Sequence, residues 1–262
     1  MSDRLNSPPV FLLAFANDRN DQAQYLRNLP DELRQISGAL DQAKSQGLCD
    51  YVSLANATLT EILDTFTKKE YRDRIAGFHF GGHANDFQLL LETNDGRVAT
   101  ADAAGLAAFL SRQLGLQLIF LNGCSTQRQV EALLDANIPM VIATSQAIKD
   151  DVAKEFASRF YRGLASGINV QAAYKEAEAA VRAQGDGNLR NLSWAGARPA
   201  LDTIQEERWP WNLYIKKGAE IAGEWNLPEA VGNPFVRHPH SVARRSARRA
   251  FPVSQLVYAS GR

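Results

Sequence analysis

Five times along this chain a short apolar run stops on small or polar residues: residues 10–15, 51–54, 75–80, 117–121 and 139–143. A run that is apolar at consecutive positions, and not only at alternate ones, belongs to a strand covered on both faces. Between these runs lie segments with apolar residues at helical spacing. Strands buried on both sides and joined by helices specify a mainly parallel sheet sandwiched between helical layers.

In chain order, Val10-Phe-Leu-Leu-Ala-Phe15, bounded by Pro8-Pro9 and Asn17-Asp18, reads as the first central strand. Asp31 is placed to cap a helix over 32–46 carrying Leu33, Ile36 and Leu40 and ending near Gly47. After the 51–54 strand, Leu59, Ile62, Leu63 and Phe66 form an i, i+3, i+4, i+7 stripe. The third strand covers 75–80, and Gly81-Gly82 is expected to end it by permitting backbone conformations that a β-carbon opposes. Segments 87–91 and 98–100 flank Asn94-Asp-Gly96, the signature of a β-hairpin. Leu106, Phe109, Leu110 and Leu114 mark the next helix, and strand 117–121 follows. Beyond it come a helix through Val130, Leu133 and Leu134, strand 139–143, and a long helix through Val152, Phe156, Phe160 and Leu164 ending at Gly167. A further helix runs through Ala173, Ala177 and Val181; 185–208 is irregular, and 209–215 reads as a final edge strand. The expected architecture is a three-layer α/β/α sandwich around about six strands, plus a small hairpin.

Two of the strands end on chemistry. Gly77-Phe-His-Phe-Gly-Gly-His-Ala-Asn85 presents His83, and Leu118-Ile-Phe-Leu-Asn-Gly-Cys-Ser-Thr126 presents Cys124. Ligand sites in open α/β sheets gather beyond the C-terminal strand ends, so neighbouring strands would bring the two side chains together. Imidazole beside a thiol favours the thiolate, the form that attacks carbonyl carbon. The histidine then serves as proton donor to the leaving amine. Backbone N–H groups of Cys124 and of Ala84, the residue after the histidine, are the candidate oxyanion donors. His79, inside its strand, reads as a satisfied, partly buried histidine, and Cys49 as structural.

The two cysteines stand without partners at metal-ligand spacing and are too few for a disulfide scaffold, so no zinc site is indicated and a reducing, cytoplasmic compartment is favoured. No cofactor is implied, and a nucleotide-binding doubly wound domain is disfavoured because no Gly-x-Gly-x-x-Gly follows the first strand. Apolar runs are strand-length, so no membrane span is expected. Charge balances at 29 basic and 29 acidic residues, yet all six residues of charge from Ala230 onward are arginines, leaving the first 229 residues six acids in excess. Without aromatic interleaving or a groove-reading motif, Arg244-Arg-Ser-Ala-Arg-Arg249 suggests a flexible solvated tail and not a specific nucleic-acid contact. It is also a candidate self-cleavage site. The division drawn is 1–227 for the folded domain and 228–262 for tail or linker.

Four blocks carry a family resemblance: His-Phe-Gly-Gly-His83, Ile-Phe-Leu-Asn-Gly-Cys-Ser-Thr126, Ala-Ser-Arg-Phe-Tyr-Arg-Gly-Leu-Ala-Ser-Gly167 and Trp-Pro-Trp-Asn-Leu-Tyr214. In this order and spacing, over roughly 8–217, the chain resembles the CHAT domain family of caspase-related cysteine peptidases. The resemblance implies a caspase-hemoglobinase fold, a Cys-His dyad of Cys124 and His83, and endopeptidase action on a protein substrate. It further implies a place in bacterial signalling or defence, gated by a regulatory partner protein or a fused sensor domain, with 233–235 as an entry into a further module. Ala84 stands where caspases proper have glycine, and Asn122-Gly-Cys-Ser-Thr126 replaces their Gln-Ala-Cys-x-Gly, which argues against strict cleavage after aspartate. The rival reading is a non-catalytic CHAT-like interaction module.

Asp150 and Asp151 precede the long helix, where N-capping is the default role. The alternative is that one of them lines a specificity pocket beside Ser145 and Gln146, favouring a basic residue before the scissile bond. Trp209 and Trp211 are either a recognition surface or a cover for the core.

Overall fold

The computed structural model describes residues 7–21, 25–93, 95, 97–184 and 209–232. The segment 185–208, residues 233–235 and the 244–249 arginine run lie outside the described residues, as do Asn94 and Gly96 of the hairpin turn.

Strand β1, Val10–Ala16, is buried at all seven positions. It lies between β2 (Asp50–Leu54) and β3 (Ile75–Gly82), followed outward by β6 (Leu118–Asn122), β7 (Met140–Thr144) and β8 (Trp211–Ile215). All neighbours are parallel except β8, which runs antiparallel to β7 at the edge. Strands β4 (Gln88–Glu92) and β5 (Val98–Asp102) form a separate antiparallel hairpin.

Because side chains alternate across a strand, β1 feeds two cores. Phe11, Leu13 and Phe15 pack under α1 (Leu29–Ser45), α5 (Asp150–Ala165) and α6 (Val170–Gln184). Val10, Leu12 and Ala14 pack under α2 (Leu59–Thr67), α3 (Ala103–Leu110) and α4 (Val130–Asp135). Each large apolar side chain fully removed from water contributes about 1.5–3 kcal/mol, which explains why all seven β1 positions are apolar.

The helix at 29–45 starts three residues before the expected 32, since Pro30 in its first turn suits the helical start. Asp31 does not cap it and pairs instead with Arg34 at 2.9 Å. Helix α2 carries a reciprocal cap between Thr58 and Glu61. Strand β3 continues through Gly81 and Gly82, paired with Phe15 and Ala16. Gly81 is there for closeness: a Cβ on it would lie 2.5 Å from the Phe15 ring. Helix α3 stops at Leu110, and Leu114, expected on its stripe, is exposed. After β8 the chain packs back on the sheet: a short helix, α7 (Leu227–Gly232), puts Leu227 and Ala230 in the core and crosses residue 227. Trp209 and Trp211 are both buried, with Trp211 stacked on Phe156 at 4.5 Å between ring centroids. They cover the core.

Candidate active site

Strands β3 and β6 are direct neighbours, and their register pairs Gly81 with Asn122. His83 and Cys124 each stand two residues beyond that pair, so they leave two strands about 4.8 Å apart at the same level. The two loops touch. A Cβ built on Gly123 would lie 2.7 Å from the Gly82 carbonyl oxygen and 2.9 Å from the Ala84 Cβ. Only glycine lets the residues flanking His83 approach the residue before Cys124 this closely.

Several contacts hold the Cys124 loop. Ser125 takes the left-handed conformation, φ 55°, which turns the chain sharply after the cysteine. Buried Thr144, at the end of β7, donates to the Gly123 carbonyl through a short hydrogen bond and accepts from the Thr126 N–H at 3.4 Å. Its own N–H donates to Thr126 Oγ1 at 3.0 Å. From the 3-10 turn that follows, Gln129 Nε2 donates to the Asn85 carbonyl at 2.7 Å, and Arg128 pairs with Asp86 at 3.3 Å. These last two contacts tie the cysteine loop to the histidine loop. In the latter, Asn85 Oδ1 accepts from the N–H groups of Phe87 and Gln88.

An isolated bridge links Ala84 to Leu89, with hydrogen bonds from Leu90 N–H to His83 O and from Asn85 N–H to Gln88 O. The bonds fall on either side of Ala84. Among the described residues neither the Ala84 nor the Cys124 N–H is committed to a hydrogen bond.

His83 and Cys124, both partly exposed, line one cavity of about 60 Å³ together with Leu26, Leu29, Glu32 and Asp150, among others. An open groove of about 520 Å³ lies alongside, lined by residues 84–88 and Ser125. Asp150 does not cap α5, whose N-cap is Lys149; its Oδ2 accepts from the Asn28 N–H at 2.8 Å. Asp151 is exposed and away from the cavity lining. Ser145 is bonded to the Pro210 carbonyl through both its N–H and its hydroxyl, and the Gln146 carbonyl accepts from the Ser125 N–H at 3.5 Å. Neither of these two lines the cavity.

Beneath the cavity runs a buried polar chain that sequence reasoning missed. Trp211 Nε1 donates to Asn122 Oδ1 at 3.1 Å, and Asn122 Nδ2 donates to Glu32 Oε1 at 2.8 Å and to the Ala153 carbonyl at 3.2 Å. His79 Nε2 meets the same Glu32 oxygen at 3.1 Å. His79 is fully buried, more than expected, between the rings of Phe15, Phe120 and Tyr161. Burial, and secondarily the charge of Glu32, pushes the Tyr161 phenol well above its ordinary range. The signal for Glu32 was available: it lies on the inward stripe of α1 with Leu29, Ile36 and Leu40. Cys49 is buried and its thiol is pushed up to about 12, chiefly by burial, so it stays protonated and unreactive near neutrality.

Among the described residues no group of three or more His, Cys, Asp or Glu is arranged to hold a metal, and no helix is long and apolar enough to cross a membrane.

Comparison with known proteins agrees with this architecture. The family model described as the CHAT domain matches residues 2–207. No curated protein matches the chain. A secreted C11 cysteine protease from Bacteroides thetaiotaomicron, solved with an irreversible peptide inhibitor, is similar in structure with a TM-score of 0.51 at 10% identity, over 68% of this chain and 59% of that one. That likeness extends to the fold, so the expected caspase-type arrangement is the one observed. The Drosophila initiator caspase Dronc aligns with a TM-score of 0.44 at 12% identity, over 67% of this chain and 73% of that one. Raptor from Chaetomium thermophilum gives 0.43 at 6% identity, over 60% of this chain and 18% of its own length.

Proposed function

This chain belongs to the CHAT domain family, and on that premise we propose that it is a caspase-like cysteine endopeptidase using Cys124 and His83. The observation that carries the reading is the meeting of these two side chains on one cavity, from equal positions beyond a registered strand pair.

The steps follow from the groups present. Cys124 Sγ, as thiolate, bonds to the carbonyl carbon of the scissile peptide, and the carbonyl oxygen takes the charge. The uncommitted N–H groups of Ala84 and Cys124 receive that oxyanion. Collapse of the tetrahedral adduct breaks the C–N bond as imidazolium His83 gives its proton to the departing amine. Water then attacks the thioester, His83 removing its proton, and the carboxylic product leaves with the thiol restored. The substrate is a protein chain, and Asp150, Asp151, Ser145 and Gln146 remain the specificity candidates from sequence, with Asp150 best situated. Family resemblance supports regulation by a partner or fused sensor within a bacterial signalling or defence system, and the cysteine usage favours the cytoplasm.

Labelling by a peptide chloromethyl ketone tests the dyad. Labelling that requires Cys124 and collapses in His83→Ala is the expected result. Cys124 labelled equally fast with and without His83, in folded protein and with the regulatory partner present, overturns it in favour of a non-catalytic interaction module.

A further inference from the structure

The cavity beside Cys124 has an acidic floor that no catalytic step uses. Glu32 is only 1% exposed, yet it lines the cavity. Both of its hydrogen bonds, from Asn122 and His79, fall on Oε1, and among the described residues Oε2 has none. Its neighbour His79 meets it through Nε2, while His79 Nδ1 is buried without a hydrogen-bond partner. Among the described residues no lysine or arginine pairs with Glu32; its one ion-pair geometry is with His79. A carboxyl oxygen on a cavity wall that receives no donor from the protein is open to one from a ligand.

We infer that Glu32 is the specificity-determining residue of this cavity, receiving the cationic side chain of a lysine or arginine immediately before the scissile bond. The inference rests on the endopeptidase reading above and adds the substrate class. The walls suit such a side chain: Leu26, Leu29, Ile148 and Ala153 are apolar and match an aliphatic stem, while Glu32 and Asp150 supply the acceptors for its head. Asn122 and His79 fix the orientation of the Glu32 carboxylate. Asp150 has its Oδ2 occupied by the Asn28 N–H, so Glu32 Oε2 is the deeper acceptor left open.

The test is a panel of peptide chloromethyl ketones differing only in the residue before the reactive carbonyl: lysine, arginine, norleucine and citrulline. Rates at Cys124 are normalised to iodoacetamide, which carries no such residue. In wild type the basic reagents should react on the order of ten- to a hundredfold faster than the neutral isosteres, the range expected for a charge-assisted hydrogen bond. In Glu32→Gln that ratio should fall toward one. Equal rates for lysine and norleucine reagents in wild type overturn the inference, whether or not the variant folds, and so does an unchanged ratio in folded Glu32→Gln. A second arm is independent of catalysis: n-butylammonium should raise the Tm of wild type and of Cys124→Ala, but not of Glu32→Gln, whereas 1-butanol should raise none. Butylammonium stabilisation together with an inert Cys124 would retire the dyad and keep the cation pocket. The absence of any shift in a protein whose dyad labels normally would do the reverse.

Discussion

Gly123 approaches Ala84 so closely that a methyl group on it would stand 2.9 Å from the Ala84 Cβ and 2.7 Å from the Gly82 carbonyl oxygen. Two reactive side chains on separate loops are brought together by a residue that has no side chain. Gly123→Ala should therefore force the loops apart, lowering the His83-dependent alkylation rate of Cys124 about tenfold or more and stability by about 1–3 kcal/mol. Labelling kinetics and urea denaturation check both. An unchanged rate would mean that the juxtaposition does not activate the thiol.

Thr144 holds the same loop from below, its hydroxyl bonded to the Gly123 carbonyl and its N–H to Thr126. Thr144→Val keeps the shape and removes the hydroxyl, leaving a buried carbonyl unpaired. The expected cost is about 1–3 kcal/mol, read as a lower urea midpoint with slower labelling of Cys124. Thr144→Ser should restore most of both.

Trp211 reaches from the edge strand to Asn122 Oδ1, two residues before the cysteine. Trp211→Phe retains much of the stacking on Phe156 but drops this donor. Stability should fall by about 1–3 kcal/mol, and the selectivity between lysine and norleucine reagents should weaken as Asn122 loses its anchor. Chemical denaturation and the reagent panel read the two effects separately.

The thiol of Cys49 is raised to about 12 and the phenol of Tyr174 to about 12, in both cases mainly by burial. Each therefore keeps its proton in the folded state at pH values where the unfolded chain has lost it. The stability these groups support is fully present below their unfolded values, near 8.5 and 10, and is lost as pH rises toward 12. Urea midpoints should fall between pH 8 and pH 10, by an amount equivalent to about 1–2 kcal/mol for Cys49. At pH 8 iodoacetamide should modify Cys124 alone, with Cys49 reacting only after denaturant is added. Modification of Cys49 in folded protein would contradict its burial.

Much of the architecture is legible in the residues because burial on both faces leaves a plain mark: β1, β3, β6 and β7 read as apolar runs, and the helical stripes sit between them. His83 and Cys124 were legible for a related reason, since a reactive side chain directly after a buried strand and a small residue has little structural cause to be there. The partnership of Glu32 with Asn122 was not: a glutamate on the inward stripe of α1 marks a buried acid but names no partner, and their pairing spans 90 positions in sequence. Asp150 was left between two alternatives, since an aspartate at a helix start fits a cap and a pocket equally well until the Asn28 amide is found on its carboxylate.

Sequence by itself determined the strand and helix order, the parallel sheet and the placing of His83 and Cys124 just past two strand ends, because periodicity and residue type are local properties. Tertiary structure alone decided the register that puts His83 level with Cys124, the Gly123 contact that joins their loops, and the buried chain from Trp211 to His79. Those depend on which distant residues share a few ångströms of space, and packing sets that for the whole fold at once.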